Sequence, residues 1–205
     1  MLPPSGTPQV RPNVQTDSVS RPTDTHELKY CSLLQEMASG SEKALTEFYR
    51  SFEARIYAFA NIRLNDSHEA ADLLNEIMWE IWRGAGKYEG RSSVSTWVFG
   101  IAHHKIIDRI RSKSRHEMEP LEAGFPAESD QDLDDLLTQK QLGKHLGHCI
   151  DTLSADHRQT VHLAFFEDLS YREIGEIVGS PEGTIKARMF HAKQVLKRCL
   201  ARRIR

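Results

Sequence analysis

The residues best equipped for chemistry in this sequence are cations, and they gather at one end. Between Glu182 and Arg205 stand Lys186, Arg188, Lys193, Lys197, Arg198, Arg202, Arg203 and Arg205 against a single acid, a local charge of +7 in a chain whose formal total is -2. The chemistry open to such a row is electrostatic, because Lys and Arg neutralise phosphates and release their counterions. No Gly-rich phosphate loop or dinucleotide fingerprint is present, and the carboxylates are scattered over helical patterns and a linker. No enzymatic activity, cofactor or small-molecule substrate is therefore expected.

A row of cations reads nothing unless an element aims it. In "LSYREIGEIVGSPEGTIKARMFHAK", Ser170 followed by Glu173 forms a capping box, and Ile174, Ile177 and Val178 make one apolar face. Gly179 suits the left-handed position that ends a helix. Ser180 can cap the next helix, with Pro181 at its first position. On that second helix Ile185, Met189, Ala192, Leu196 and Cys199 share a buried stripe, which leaves Gly183, Ala187, Phe190, His191 and Gln194 opposite, flanked by Lys186 and Arg188. Two helices joined by a tight turn, the second with slim side chains and flanking cations, form a major-groove reader. The same pattern also fits a helical hairpin with a solvated basic face.

The 205 residues, 39% apolar and 27% charged, suffice for one or two small soluble domains. Residues 1–25 hold Pro3, Pro4, Pro8, Pro12 and Pro22 among Ser, Thr and Gln, and are expected to form a disordered tail. Apolar residues recur at helical spacing over 26–115. Residues 116–140 are an acidic linker with eight carboxylates from Glu117 to Asp135, turning helical near Leu133. Helical patterning resumes over 141–205. The expected fold is all-α, two small helical domains joined by an acidic flexible linker.

Two stretches of the first domain stand out. On "EAADLLNEIMWEIWRG", Ala70, Leu73, Leu74, Ile77 and Ile81 form a core stripe while Asp72, Asn75, Glu76 and Trp79 point away from it. A Trp set among carboxylates suits docking of a basic protein surface and would repel DNA. Alternatively, Trp79 and Trp82 pack against a neighbouring helix. In "GKYEGRSSVSTWVFGIAHHKIIDRIRSKSR", a polar loop precedes a helix with Phe99, Ala102, Ile106 and Ile110 inward. Trp97, Ile101, His104, Lys105, Asp108 and Arg111 look outward, and Ile101–Arg115 carries +4. Aromatic and basic groups beside a polar loop suit single-stranded nucleic acid, whose bases stack or flip into pockets. Spacing alone leaves Trp97 equally at home in the core.

Cys31, Cys149 and Cys199 are far apart and odd in number, which favours a reducing compartment over a disulfide framework. His145, His148 and Cys149 fall on one helical face at a spacing able to hold zinc or copper. Without an evident fourth ligand, solvated or packed side chains are the better account, and no metal site is expected. No apolar run approaches the roughly 18 residues of a membrane span, and the N-terminus lacks a signal-peptide layout, so a cytoplasmic protein is expected.

Taken together the three stretches resemble the extracytoplasmic-function (ECF) sigma factors, small sigma-70-type subunits that direct bacterial RNA polymerase to promoters. "ADLLNEIMWEIW" is similar to that family's polymerase-binding helix, "STWVFGIAHHKIIDRIR" to its promoter-melting segment and "LSYREIGEIVGSPEGTIKARMFHAK" to its helix-turn-helix. The resemblance runs from about residue 28 to 200, with the motifs in order and an acidic linker between the second and third.

The resemblance implies a region 2 domain over 26–115 and a region 4 domain over 141–205. Asp72, Asn75, Glu76 and Trp79 would grip the beta-prime clamp of core polymerase, Asn75 replacing the usual Gln. Lys87, Arg91, Ser92 and Ser93 would shape the pocket for a flipped base of the -10 element, and Trp97, His103, His104, Lys105, Arg109 and Arg111 would follow the melted strand. His103-His104 replaces the usual Arg-Asn. Ser180, Glu182, Gly183, Thr184, Lys186, Arg188, Phe190, His191, Lys193 and Lys197 would meet the -35 element, with His191 where Arg is common. Expected partners are core polymerase, including its beta flap, promoter DNA and an anti-sigma protein. The competing reading is a two-domain helix-turn-helix regulator that does not bind polymerase, although neither a ligand pocket signature nor dimerising heptads are visible.

Overall fold

A computed structural model describes residues 22–116 and 137–203, and within these every regular element is a helix. Four helices, α1 (Pro22–Ala38), α2 (Glu42–Leu64), α3 (Ser67–Gly84) and α4 (Val94–His116), build the first half, with a short 3-10 turn at Ala85–Lys87. Four more, α5 (Leu137–Asp151), α6 (Ala155–Phe165), α7 (Tyr171–Val178) and α8 (Glu182–Arg203), build the second. The proline-rich tail begins to be described at α1, and nearly all of the acidic linker, including its turn near Leu133, lies outside the described residues.

Local chemistry explains where the helices stop and start. Ser41 accepts from the Ala44 N–H to cap α2, and Asp66 accepts from the His68 and Glu69 N–H groups to cap α3. Asn65 takes the left-handed conformation between them, at φ 52°, turning the chain back on itself. Ser154 caps α6, and Ser170 with Glu173 forms the reciprocal capping box of α7.

Inside the first half, Phe48, Phe52, Ile56 and Phe59 of α2 meet Leu73, Ile77 and Ile81 of α3 and Phe99, Ala102 and Ile106 of α4, all buried. Phe48 stacks on Phe52 with centroids 4.6 Å apart, and Phe59 meets Phe99 edge-on at 5.1 Å.

The two halves are not held apart. Leu163, Leu169, Ile174, Ile177 and Ile185 of the second half join the apolar cluster of the first, leaving Leu153, Val161, Met189 and Ala192 as a satellite core. Polar ties cross the same boundary: Arg55 to Glu167, Arg63 to Asp156, and Gln159 to His103 at 2.9 Å. The linker reading had left the domains' relation open; their packing is a tertiary property.

One expectation is corrected. Cys149 and Cys199 form a disulfide, with Cα atoms 5.7 Å apart, and Cys31 alone is free. The fold lays α8 beside α5 and brings together two cysteines separated by 50 residues. Cys149 therefore offers no thiolate to the His145/His148/Cys149 triplet, and among the described residues no group of three or more metal-ligating side chains converges.

Candidate nucleic-acid interface

The α3 face begins with its N-cap. Asp66 fixes the helix register so that Ala70, Leu73, Leu74, Ile77, Met78 and Ile81 are buried. Asp72, Asn75, Glu76 and Trp79 are all exposed in consequence, Trp79 at 56%. Trp79 is not packed into the core, but it meets Trp82 edge-on at 5.5 Å. This acidic and aromatic strip lies beside α4, whose bases tie back to it. Arg109 pairs with Glu76, Lys105 with Glu80 at 3.6 Å and Lys113 with Glu69 at 2.9 Å.

The loop before α4 is held from inside. Tyr88 donates to the Ser92 carbonyl at 2.6 Å, and burial raises its hydroxyl pKa, with Glu27 adding to the effect. Ser93 acts as the cap of α4, accepting from the Thr96 N–H at 3.1 Å, with the two hydroxyl oxygens 2.8 Å apart. The Val94 N–H is taken by Glu27 of α1 at 2.6 Å, a carboxylate cap supplied from 67 residues away. Glu27 is a site-shaping residue that no local pattern marks. Lys87 and Arg91 project from this loop into solvent, Arg91 paired with Glu89.

Along α4, Trp97 is half-buried, leaning on Tyr88 and filling the space above Gly84, where a Cβ would lie 3.3 Å from its ring. Both alternatives for Trp97 thus hold in part. His104 and Arg111 are exposed, and Lys105 and Arg109 are half-buried by their α3 partners. His103 is half-buried and meets Gln159 of α6. Burial, reinforced by nearby Arg63 and His104, lowers its pKa from 6.5 to about 4, so the imidazole is neutral at physiological pH.

In the second half, α7 ends at Gly179, left-handed at φ 65°, whose N–H bonds the Gly175 carbonyl. Gly175 is also the pivot of the turn, because a Cβ there would lie 2.6 Å from the Ser180 carbonyl. The next helix starts one residue later than the capping pattern suggests. Pro181 precedes α8 and its carbonyl accepts from the Thr184 and Ile185 N–H groups, which places Pro181 rather than Ser180 at the cap. The stripe opposite the core follows the periodicity: Ile185, Met189 and Ala192 are buried, while Glu182, Gly183, Thr184, Lys186, Phe190, His191, Lys193 and Lys197 are exposed. Arg188 is half-buried and ion-paired to Asp156 at 3.4 Å. Phe190 is 60% exposed, an apolar surface on an otherwise largely polar face.

Two family models cover these halves in order. "Sigma-70 region 2" matches residues 48–116 and "Sigma-70, region 4" matches residues 149–198. The chain belongs to the sigma-70 family.

As a sigma factor it is a transcription initiation protein, acting with RNA polymerase on promoter DNA. The ECF RNA polymerase sigma factor SigK of Mycolicibacterium vanbaalenii is 28% identical over 173 residues, 82% of this chain and 88% of that protein. The SigK of Mycobacterium ulcerans is 29% identical over 173 residues, 82% of this chain and 92% of that protein. Among solved structures, the sigma factor RpoE in complex with the anti-sigma factor NepR from Bartonella quintana shares the fold, with a TM-score of 0.59 at 22% identity over 76% of this chain and 97% of that one. CnrH in complex with the cytosolic domain of CnrY gives 0.56 at 16% identity, over 84% and 97%.

Proposed function

We propose that this sigma factor is of the ECF type, with the first domain (26–115) docking on the core polymerase clamp and opening the -10 element, and the second (141–205) reading the -35 element. The observation that carries the reading is the split of α3. Its apolar stripe is fully used by the core, yet Asp72, Asn75, Glu76 and Trp79 stay outside, and a large aromatic left in water beside carboxylates is a docking anchor for a basic protein. Loop residues Lys87, Arg91, Ser92 and Ser93 then receive a flipped -10 base, and Trp97, His104, Lys105, Arg109 and Arg111 follow the melted strand. The exposed stripe of α8, from Thr184 to Lys197, enters the -35 major groove.

The beta flap is assigned to the second domain, and an anti-sigma protein is the expected inhibitor. The SigK names support the ECF type, and the complex of RpoE with the anti-sigma factor NepR supports the expected inhibitor. No described helix is long and apolar enough to cross a membrane, in keeping with a cytoplasmic site of action. An equilibrium titration of labelled chain with core polymerase tests the reading. Trp79→Ala is expected to weaken binding roughly tenfold or more, as loss of an aromatic anchor does. Unchanged affinity contradicts it.

A further inference from the structure

The acidic face of α7 lies on the loop assigned to the -10 base. Glu173 Oε1 accepts from the hydroxyls of Ser93 at 3.2 Å and Thr96 at 3.0 Å, while its Oε2 accepts from Ser170 to complete the capping box. One carboxylate thus holds the start of α7 and the start of α4 together. Glu176 follows one turn later, and both acids line a cavity of about 490 Å³ whose opposite wall is Gly90 to Ser93. A carboxylate at hydroxyls meant for a nucleic-acid acceptor takes their donors and repels a phosphate.

A second acid does the same to the other reading surface. Asp156 lies between Arg63 of α2 and Arg188 of α8, so the contact that binds the domains together also occupies a cation assigned to the -35 element. A third, Glu167, is 1% exposed and paired with Arg55, which rests over the Phe52 ring at 4.5 Å. Buried, paired and backed by an aromatic ring, that tie anchors the closed arrangement.

Resting on the assignment of the loop at 87–93 and the start of α4 to the -10 strand, we propose that the second domain is an internal competitor for that strand: Glu173 and Glu176 of α7 cover the -10 surface in the free chain, and the domains must part before the strand can enter. The cover is part of the same chain, so it acts at the high effective concentration of an intramolecular ligand and scales the apparent affinity for DNA down to the fraction of time the chain is open.

Glu173→Gln tests this without breaking the helix start, because Gln also completes a capping box. Asp156→Asn weakens the second tie independently. Each full-length variant is compared with the unmodified chain in two measurements: radius of gyration by small-angle X-ray scattering, and fluorescence anisotropy with short single-stranded DNA of randomised sequence. Helical circular dichroism confirms that each is folded. The proposal expects both variants to expand and Glu173→Gln to bind the strand roughly fivefold more tightly, as loss of two charge-assisted bonds implies. Variants that neither expand nor gain affinity overturn the proposal. Expansion without any gain in strand affinity means that the closed contact exists without covering the -10 surface, which also overturns it. Expanded variants that bind no single strand at all overturn the assignment of the -10 surface itself.

Discussion

Arg109 of α4 donates to the carboxylate of Glu76 on α3. A residue assigned to the melted strand therefore holds one assigned to the polymerase clamp, and charge changes at the two faces are not independent. Asp72 has no such constraint in its role: it is exposed on the same strip. Asp72→Arg should abolish copurification with core polymerase while the thermal midpoint stays nearly fixed, as for a surface substitution. Glu76→Arg should abolish it too, with an added loss of stability of about 1 kcal/mol from two facing guanidinium groups. Equal thermal midpoints for the two variants contradict the coupling.

If α8 enters the -35 groove as proposed, reading and holding should separate along it. His191 is exposed near the middle of the reading stripe, where an imidazole offers one hydrogen bond to a base edge. Lys197 lies further along, where a phosphate is the natural target. His191→Ala should change which -35 bases are preferred, by about 1–3 kcal/mol at one position. Lys197→Ala should weaken all promoters alike and reduce the salt slope by about one unit. Binding to a randomised -35 library at two salt concentrations decides between them; uniform weakening by His191→Ala removes it from the readers.

The domain contact carries its own pH dependence. His103 has its pKa lowered from 6.5 to about 4 by burial against α6, next to Arg63 and His104 and near Asp156. Above pH 6.5 it is neutral whether the contact is made or not, so no linkage arises. As pH falls below 6.5, the opened or unfolded chain takes up a proton that the packed one refuses, so packing is lost progressively toward pH 4. The carboxylates with lowered values, Asp156 and Glu173, remain ionised in both states down to about pH 5 and contribute nothing in that upper window. The thermal midpoint should drop between pH 6.5 and 5, and His103→Asn should flatten the drop. An unaltered slope in the variant contradicts it.

The Cys149–Cys199 bond ties α5 to α8, which carries the stripe proposed for the -35 element. Reduction should lower the stability of the second domain by about 2–4 kcal/mol. Calorimetry with and without a reductant measures this, and Cys199→Ser should reproduce the reduced value under oxidising conditions. Identical melting curves in both states contradict a stabilising role.

What was legible in the sequence depended on distance along the chain. The stripe of α3, the capping box of Ser170 and Glu173 and the left-handed Gly179 are set by spacings of a few residues and lie in the structure as their patterns require, while the α8 stripe is buried from Ile185 to Ala192 and half-buried at Leu196 and Cys199. Glu27 reaching the Val94 N–H and Glu173 reaching Ser93 and Thr96 join residues from different helices, so no periodicity marks them. The disulfide was hidden for the same reason. The contact of His103 with Gln159 of α6 joins the two halves, and a helical wheel separates inward from outward but cannot foresee a second domain on the outward side.

The most direct test of the account is transcription by purified core polymerase, with and without this chain, on a library of random promoter fragments, with the transcript starts sequenced. The account predicts new starts only when the chain is present, preceded by two sequence blocks at constant spacing, and a changed upstream block when His191→Ala replaces the natural chain. Starts that do not depend on the chain, or fragments that it binds equally well without core polymerase and without any new initiation, would contradict it.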